Sequence, residues 1–182
     1  HSLEQNNNVS SVEILPKNGI YFFDNNYFLG LKIKLHGEWK TYWKNPGDAG
    51  LPLHIEFVSP NQIEDYEVLF PFPKQYNDHG LKTIGYEKEV IFPLKINFKD
   101  GTNFVSSKIN ISYLVCEKIC IPENKTLSIN VDLGKASYNF EASETFKYFS
   151  NVPILKKEPL ILDFNKSIGD RVSYTVRNSL TE

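Results

Sequence analysis

The chain has 182 residues, 41% hydrophobic and 23% charged, with a net charge of −2. That length can bury a core without cross-links, and the charge balance gives no general basic field for nucleic acid or an anionic membrane. No apolar run of about 18 residues could span a bilayer, and the absence of an initial Met reads as a segment cut from a longer precursor.

Residues 1–10, which include Asn6, Asn7 and Asn8, read as a disordered or tag-derived terminus. From Val12 onward the texture is β. Tyr21, Phe22 and Phe23 form an aromatic run closed by the turn residues Asp24, Asn25 and Asn26. Over 28–35, Leu29, Leu31, Ile33 and Leu35 face one way and Lys32 and Lys34 the other. This period of two with one polar face predicts a half-buried antiparallel strand. Residues 45–52 contain Pro46, Gly47, Gly50 and Pro52 and are expected to be irregular. Alternation resumes over 54–58, and 66–70 is a short strand broken by Pro71 and Pro73. Residues 76–86 lack periodicity and are expected as a long loop. Residues 90–98 read as a strand in which Pro93 implies an edge or a bulge. Asp100 and Gly101 signal a hairpin turn, and 108–116 and 127–133 alternate cleanly.

Roughly eight short strands thus precede Gly134, with no helical pattern longer than two turns. The fold class is all-β, an immunoglobulin-like antiparallel β-sandwich over 11–134. The Cys–Trp–Cys spacing of antibody domains is absent. In 135–182 a short C-terminal helix is expected at 143–149, capped by Ser143 and ended by Pro153. Extra strands follow at 160–164 and 172–176. They either pack on the first domain or begin a truncated second one.

Cys116 and Cys120 are the only cysteines. In an extended strand, positions four apart lie about 13 Å from each other, whereas a disulfide needs Cα atoms within about 7 Å. If the pair is bonded, the chain must fold back at Glu117, Lys118 and Ile119, and Pro122 then suits an edge just past the turn. A bridge closing so short a loop restrains the unfolded chain by about 2 kcal/mol, roughly half of what a bridge between distant strands gives. A weak staple in a chain that needs none favours redox chemistry, with a structural clip and a metal site as the competing readings. Two thiolates could hold Cu(I) or part of a zinc site, but His36, His54 and His79 have no ligand spacing to them, and there is no Met. Glu117 and Lys118 act on a nearby thiolate in opposite senses, so they do not identify the nucleophile.

Three stretches together resemble the periplasmic N-terminal domain of the DsbD/ScsB family of bacterial thiol:disulfide interchange proteins. The first is 39–52, with Trp39, Trp43, Asn45, Pro46, Gly47, Asp48, Gly50 and Pro52. The second is 85–94, with Gly85, Tyr86, Phe92 and Pro93. The third runs from Val115 and Cys116 to Cys120, Ile121 and Pro122. The three-residue gap between the cysteines is shorter than in the family's best-known branch and closer to its ScsB-like branch. The resemblance implies a bacterial periplasmic domain, the soluble N-terminal part of an inner-membrane protein. Its cysteines would take reducing equivalents from a thioredoxin-like domain and pass them to periplasmic disulfide-containing proteins, with no cofactor beyond the redox-active disulfide and no nucleic acid. By position, Cys120 would form the mixed disulfide and Cys116 would resolve it. Tyr86 and His79, in the loop 77–86, are candidates to cover the sulfurs. Glu117, Lys118, Ile119 and Pro122 are candidates for partner docking. A binding module with a structural hairpin disulfide and a Cu(I)-binding copper-tolerance domain are the alternatives.

Overall fold

A computed structural model of the chain describes residues 9–78, 80–153, 160–168 and 171–178. By proximity along and across the chain it falls into two units, His1–Val152 and Pro153–Glu182. The first unit contains strands β1 (Ser10–Leu15), β2 (Tyr21–Phe23), β3 (Asn26–Leu35), β4 (Lys40–Gly47), β5 (His54–Phe57), β6 (Ile63–Val68), β7 (Lys74–Asp78), β8 (Leu81–Glu87), β9 (Glu89–Phe98), β10 (Phe104–Cys116) and β11 (Cys120–Asp132), then helix α1 (Glu144–Phe149). The second contains an antiparallel hairpin of β12 (Leu160–Ile168) and β13 (Arg171–Asn178).

Two antiparallel sheets make the sandwich. One has the order β1–β3–β9–β6 with β2 also on β3; the other has the order β11–β10–β4–β8–β7 with β5 also on β10. Alternation dictates what lies between them. Leu29, Leu31 and Ile33 of β3 and Val90, Phe92, Leu94 and Ile96 of β9 meet Ile109, Ile111, Tyr113 and Val115 of β10 in one buried cluster. Tyr113 keeps its hydroxyl satisfied there by a 2.7 Å hydrogen bond with the Ser10 hydroxyl.

Helix α1 covers the outer side of the first sheet. Ser143 caps it as the sequence predicts, its hydroxyl accepting from the Phe146 amide at 3.1 Å. The preceding turn brings in Phe140, fully buried and stacked on Phe28 with centroids 4.7 Å apart. Phe23, Phe146 and Phe149 close the cluster edge-on or tilted. Gly30 is required beneath the helix, because a Cβ there would collide with the Thr145 hydroxyl. The expectation of a polar outer face on β3 is therefore corrected at Lys32. It is 7% exposed, and its ammonium reaches Glu144 at 2.7 Å and Glu89 at 3.3 Å.

Four other expectations change. Residues 76–86 form the β7–β8 hairpin, closed by the Asp78–Leu81 pair. Lys74, Gln75 and Asn77 are all exposed, so this edge strand carries no apolar alternation to read. Strand β4 continues to Gly47, after a register shift between Tyr42 and Gly47. Pro93 lies in an interior strand opposite Gly30. Its carbonyl accepts from the Leu69 amide just where β6 pairing ends, so the flank missing an N–H is the one the β6 ladder has left. At the N-terminus, Val9 and Ser10 are already buried, and Ser10 begins β1.

Candidate redox site

Strands β10 and β11 pair without a bulge from Phe104 opposite Asp132 to Cys116 opposite Cys120. The cysteines are the last pair before the turn, with Cα atoms 4.1 Å apart and a disulfide joining them. The tip is closed by the Glu117 amide donating to the Ile119 carbonyl at 3.0 Å. That bond fixes the alternation of the ladder. The next pair, Cys116–Cys120, turns its backbone groups outward, and so does Leu114–Pro122. With β11 at the sheet edge, the N–H that Pro122 lacks falls on the open flank, where it breaks no pairing.

The side chains divide by parity. Tyr113 and Val115 point into the core; Leu114 and Cys116 point to the outer face. The two cysteines differ in access: Cys116 is 7% exposed, whereas Cys120 is exposed. Around them Glu117, Lys118, Ile119 and Pro122 are all exposed, Ile119 at 66%.

Strand β4 touches β10 in register at one position, Lys40 opposite Cys116, and Lys40 is in turn opposite Glu87 on β8. A row of Cys120, Cys116, Lys40 and Glu87 therefore crosses four strands. The Lys40 ammonium lies 4.6 Å from the centroid of the Tyr76 ring, and Lys74 reaches the Glu87 carboxylate at 2.8 Å. The Lys74 hydrogen bond holds the Glu87 carboxyl below the usual carboxylate range, aided by the charges of Lys74, Lys88 and Lys40 against a smaller opposing effect of burial. Lys40 is opposite Cys116 in backbone register, but its ammonium is directed across β8 to Tyr76 on β7, on the side of β4 away from β10. Nothing in the cysteine motif itself points to Lys40 as the neighbour of Cys116 in the sheet.

The 39–52 stretch works as a clamp beside the site. The Asp48 carboxylate accepts from the Lys82 amide at 2.8 Å, and the Asp48 amide donates to the Lys82 carbonyl at 2.9 Å. Gly50, at φ +107°, lies so close to the buried Tyr42 ring that any Cβ would strike it. Pro52 bridges to Tyr42, and Trp39 and Trp43 pack against the core.

Of the two candidate covers, Tyr86 does not lie over the sulfurs. Tyr86 belongs to the core: it is 7% exposed, its ring meets Phe92 edge-on, and its hydroxyl donates to the Pro71 carbonyl at 2.8 Å. Burial pushes its phenol far above the ordinary value. The cause is parity, since Tyr86 pairs with Thr41 on the inward phase, while Gly85 and Glu87 have the outward one. His79 lies outside the described residues. Among the described residues no three His, Cys, Asp or Glu side chains converge on a point that could hold a metal, and no helix is long and apolar enough to cross a membrane.

Comparison with solved structures gives the N-terminal periplasmic domain of ScsB from Proteus mirabilis, with a TM-score of 0.65 and 20% identity, over 98% of this chain and 68% of that one. At that identity the match establishes the sandwich fold. The reduced N-terminal domain of Neisseria meningitidis DsbD also matches, with a TM-score of 0.39 and 12% identity over 66% of this chain and 85% of that one. No curated protein matches. The sequence profile of the family described as thiol:disulfide interchange protein DsbD, N-terminal, matches residues 11–132. That span runs from β1 to the end of β11 and includes the bonded pair, and the chain belongs to this family of thiol:disulfide interchange domains.

Proposed function

We propose that the chain is a periplasmic thiol:disulfide interchange domain whose Cys116–Cys120 pair passes reducing equivalents from a thioredoxin-like donor to disulfide-containing proteins. The observation that carries this reading is the unequal access of the two cysteines in a bridge at a hairpin end. Thiol–disulfide exchange needs a thiolate to approach a sulfur along the S–S axis, and access decides which sulfur is attacked. Cys120 is the exposed partner. A donor thiolate attacks its Sγ, the bridge breaks, and Cys116 leaves as a thiolate. The donor's second thiol then releases Cys120. In the forward direction the Cys120 thiolate attacks a client disulfide, and Cys116 attacks Cys120 Sγ to expel the client's thiolate. Neither step calls on an organic cofactor or a metal.

The loop-closure estimate supports the same assignment. A bridge worth about 2 kcal/mol adds little to a 182-residue chain with a continuous core. Periplasmic location and attachment to an inner-membrane partner are part of the proposal, on the strength of the family. The test is the reduction potential of the pair together with trapping by Cys116→Ser. A potential above about −300 mV and a stable mixed disulfide through Cys120 are expected. A potential well below that value marks a resistant structural bond, and either that result or failure to trap any mixed disulfide overturns the reading.

A further inference from the structure

Two residues along each strand from the disulfide, Leu114 and Pro122 lie opposite each other on the same outer face as the cysteines. They line a shallow cavity of about 300 Å³, whose other wall is Leu51, Pro52 and His54, the segment leading into β5. Leu51 is 63% exposed, and Pro122 is exposed as well. Farther from the disulfide the same face turns polar. Ser112 donates to Asn124 at 2.8 Å, Thr126 to Asn110 at 2.9 Å and Ser106 to Asn130 at 2.7 Å. Leu114 and Pro122 are thus the apolar residues of this face beside the reactive pair, and Phe104, 52% exposed, stands at its far end.

Covalent geometry identifies what reaches it. A mixed disulfide holds the partner's sulfur about 2 Å from Cys120 Sγ. Two residues of extended chain then span about 6.6 Å, the same step that separates Cys120 from Pro122 along β11. A partner bonded at Cys120 can therefore lay the residues flanking its own cysteine against this groove, whose exposed surface is mainly apolar, with Glu123 also in its lining but largely covered and paired with Lys125 at 2.9 Å.

Resting on the exchange reading above, we infer that the Leu51–Leu114–Pro122 groove is a specificity subsite for the segment flanking a protein partner's reactive cysteine, and that it selects an apolar side chain two residues from that cysteine. The step it serves is balanced. The Cys120 thiolate bonds to the partner's sulfur, the partner's S–S bond breaks, and the second partner sulfur leaves with the electron pair. Cys116 thiolate then attacks Cys120 Sγ and expels the first partner sulfur. Two electrons pass from the dithiol to the partner, and the thiol protons pass through solvent to the partner's new thiolates.

The test uses the reduced full chain and two synthetic peptides. Each has one cysteine capped as its mixed disulfide with 2-nitro-5-thiobenzoate, and they carry leucine or serine two residues away on either side. Attack by Cys120 on the peptide sulfur releases the coloured thiol. The leucine peptide is expected to react about tenfold faster, the factor that 1.4 kcal/mol makes and of the order gained by burying part of one leucine. That ratio should fall toward one in Leu51→Asp and in Leu114→Thr. Equal rates for the two peptides in the parent chain overturn the subsite, as does a ratio that neither substitution alters. A dimer in sedimentation that Leu51→Asp dissociates assigns the groove to a second copy and overturns it too. A reduced chain that attacks neither peptide overturns the exchange reading itself, which separates the two failures.

Discussion

The outward positions of β3 and β10 follow the same period of two, yet they meet different surroundings. On β3 they are Phe28, Gly30 and Lys32, and α1 with the preceding turn lies over all three. On β10 they are Asn110, Ser112, Leu114 and Cys116, cross-linked to β11 by side-chain hydrogen bonds and, at the end, by a disulfide. The covered face stores packing energy in five buried or half-buried aromatic rings around Phe140. The bare face stores little and leaves Cys120 open to attack. Stability and chemistry are therefore carried on opposite sides of one sandwich, and substitutions on one side should leave the other's property nearly untouched.

The largest expected effect tests the covered side. Phe140→Ala removes a ring that is fully buried and stacked on Phe28. A loss of about 3–5 kcal/mol is expected in urea unfolding, with the exchange rate of the chain that remains folded nearly unchanged. A change in exchange rate comparable to the stability loss would break the separation of the two faces. Gly30→Ala should come next, at about 1–3 kcal/mol, because the added methyl meets Thr145 and Ile91 and must lift the helix or distort the strand. Trimming the obstruction with Thr145→Ala should recover part of that loss, which a purely conformational effect at Gly30 would not allow.

The bare side is tested at the bridge. Replacing both cysteines by serine should cost about 2 kcal/mol in thermal or urea unfolding, since the closed loop is short. Exchange should vanish entirely. A loss above about 4 kcal/mol would place the disulfide among the elements that hold the sandwich together, and the contrast between the faces would fail.

The contrast also explains which features are legible in the sequence. Strands β3 and β10 announce themselves because one side of each is buried, and burial writes the period. Strand β7 does not, because its described side chains are mostly in solvent and nothing selects an apolar alternate. The cysteine pair is legible from its rarity and spacing alone. Tyr86 fails as a cover because sequence proximity to a motif says nothing about pleat phase, and one residue's shift in phase turns a lid into a core side chain. Lys40 and the Leu51–Pro52 wall were not legible at all. They reach the site through pairings of β4 and β5 with β10, contacts between stretches far apart in the chain that no local pattern encodes. The cover over β3 left one trace. An outward Gly30 between outward Phe28 and Lys32 is a poor choice for a wet face and a good one for a surface that another element must approach closely.

The smallest effect concerns the ion pair at the rim of the covered face. Lys32 donates to Glu144 at 2.7 Å, and this hydrogen bond is the main cause that holds the Glu144 carboxyl below its usual range and raises the Lys32 ammonium above its own. Because the folded value for Glu144 is depressed, its contribution is complete above the unfolded carboxylate value of about 4.3. It is lost as pH falls through the lower folded value. Lys32 has the opposite sense, so its contribution persists until pH rises above the ordinary lysine range. The Glu144 side chain is 58% exposed, so solvent and salt screen the pair, and less than about 1 kcal/mol is at stake. Glu144→Gln should therefore flatten the acid limb of the stability–pH curve slightly, leave stability near pH 7 lower by a few tenths of a kcal/mol, and reduce the dependence on salt. The Glu87–Lys74 pair near the cysteines remains in both proteins and supplies the acid dependence that is left. An acid limb identical in the two proteins would show that α1 is held by its aromatic face alone.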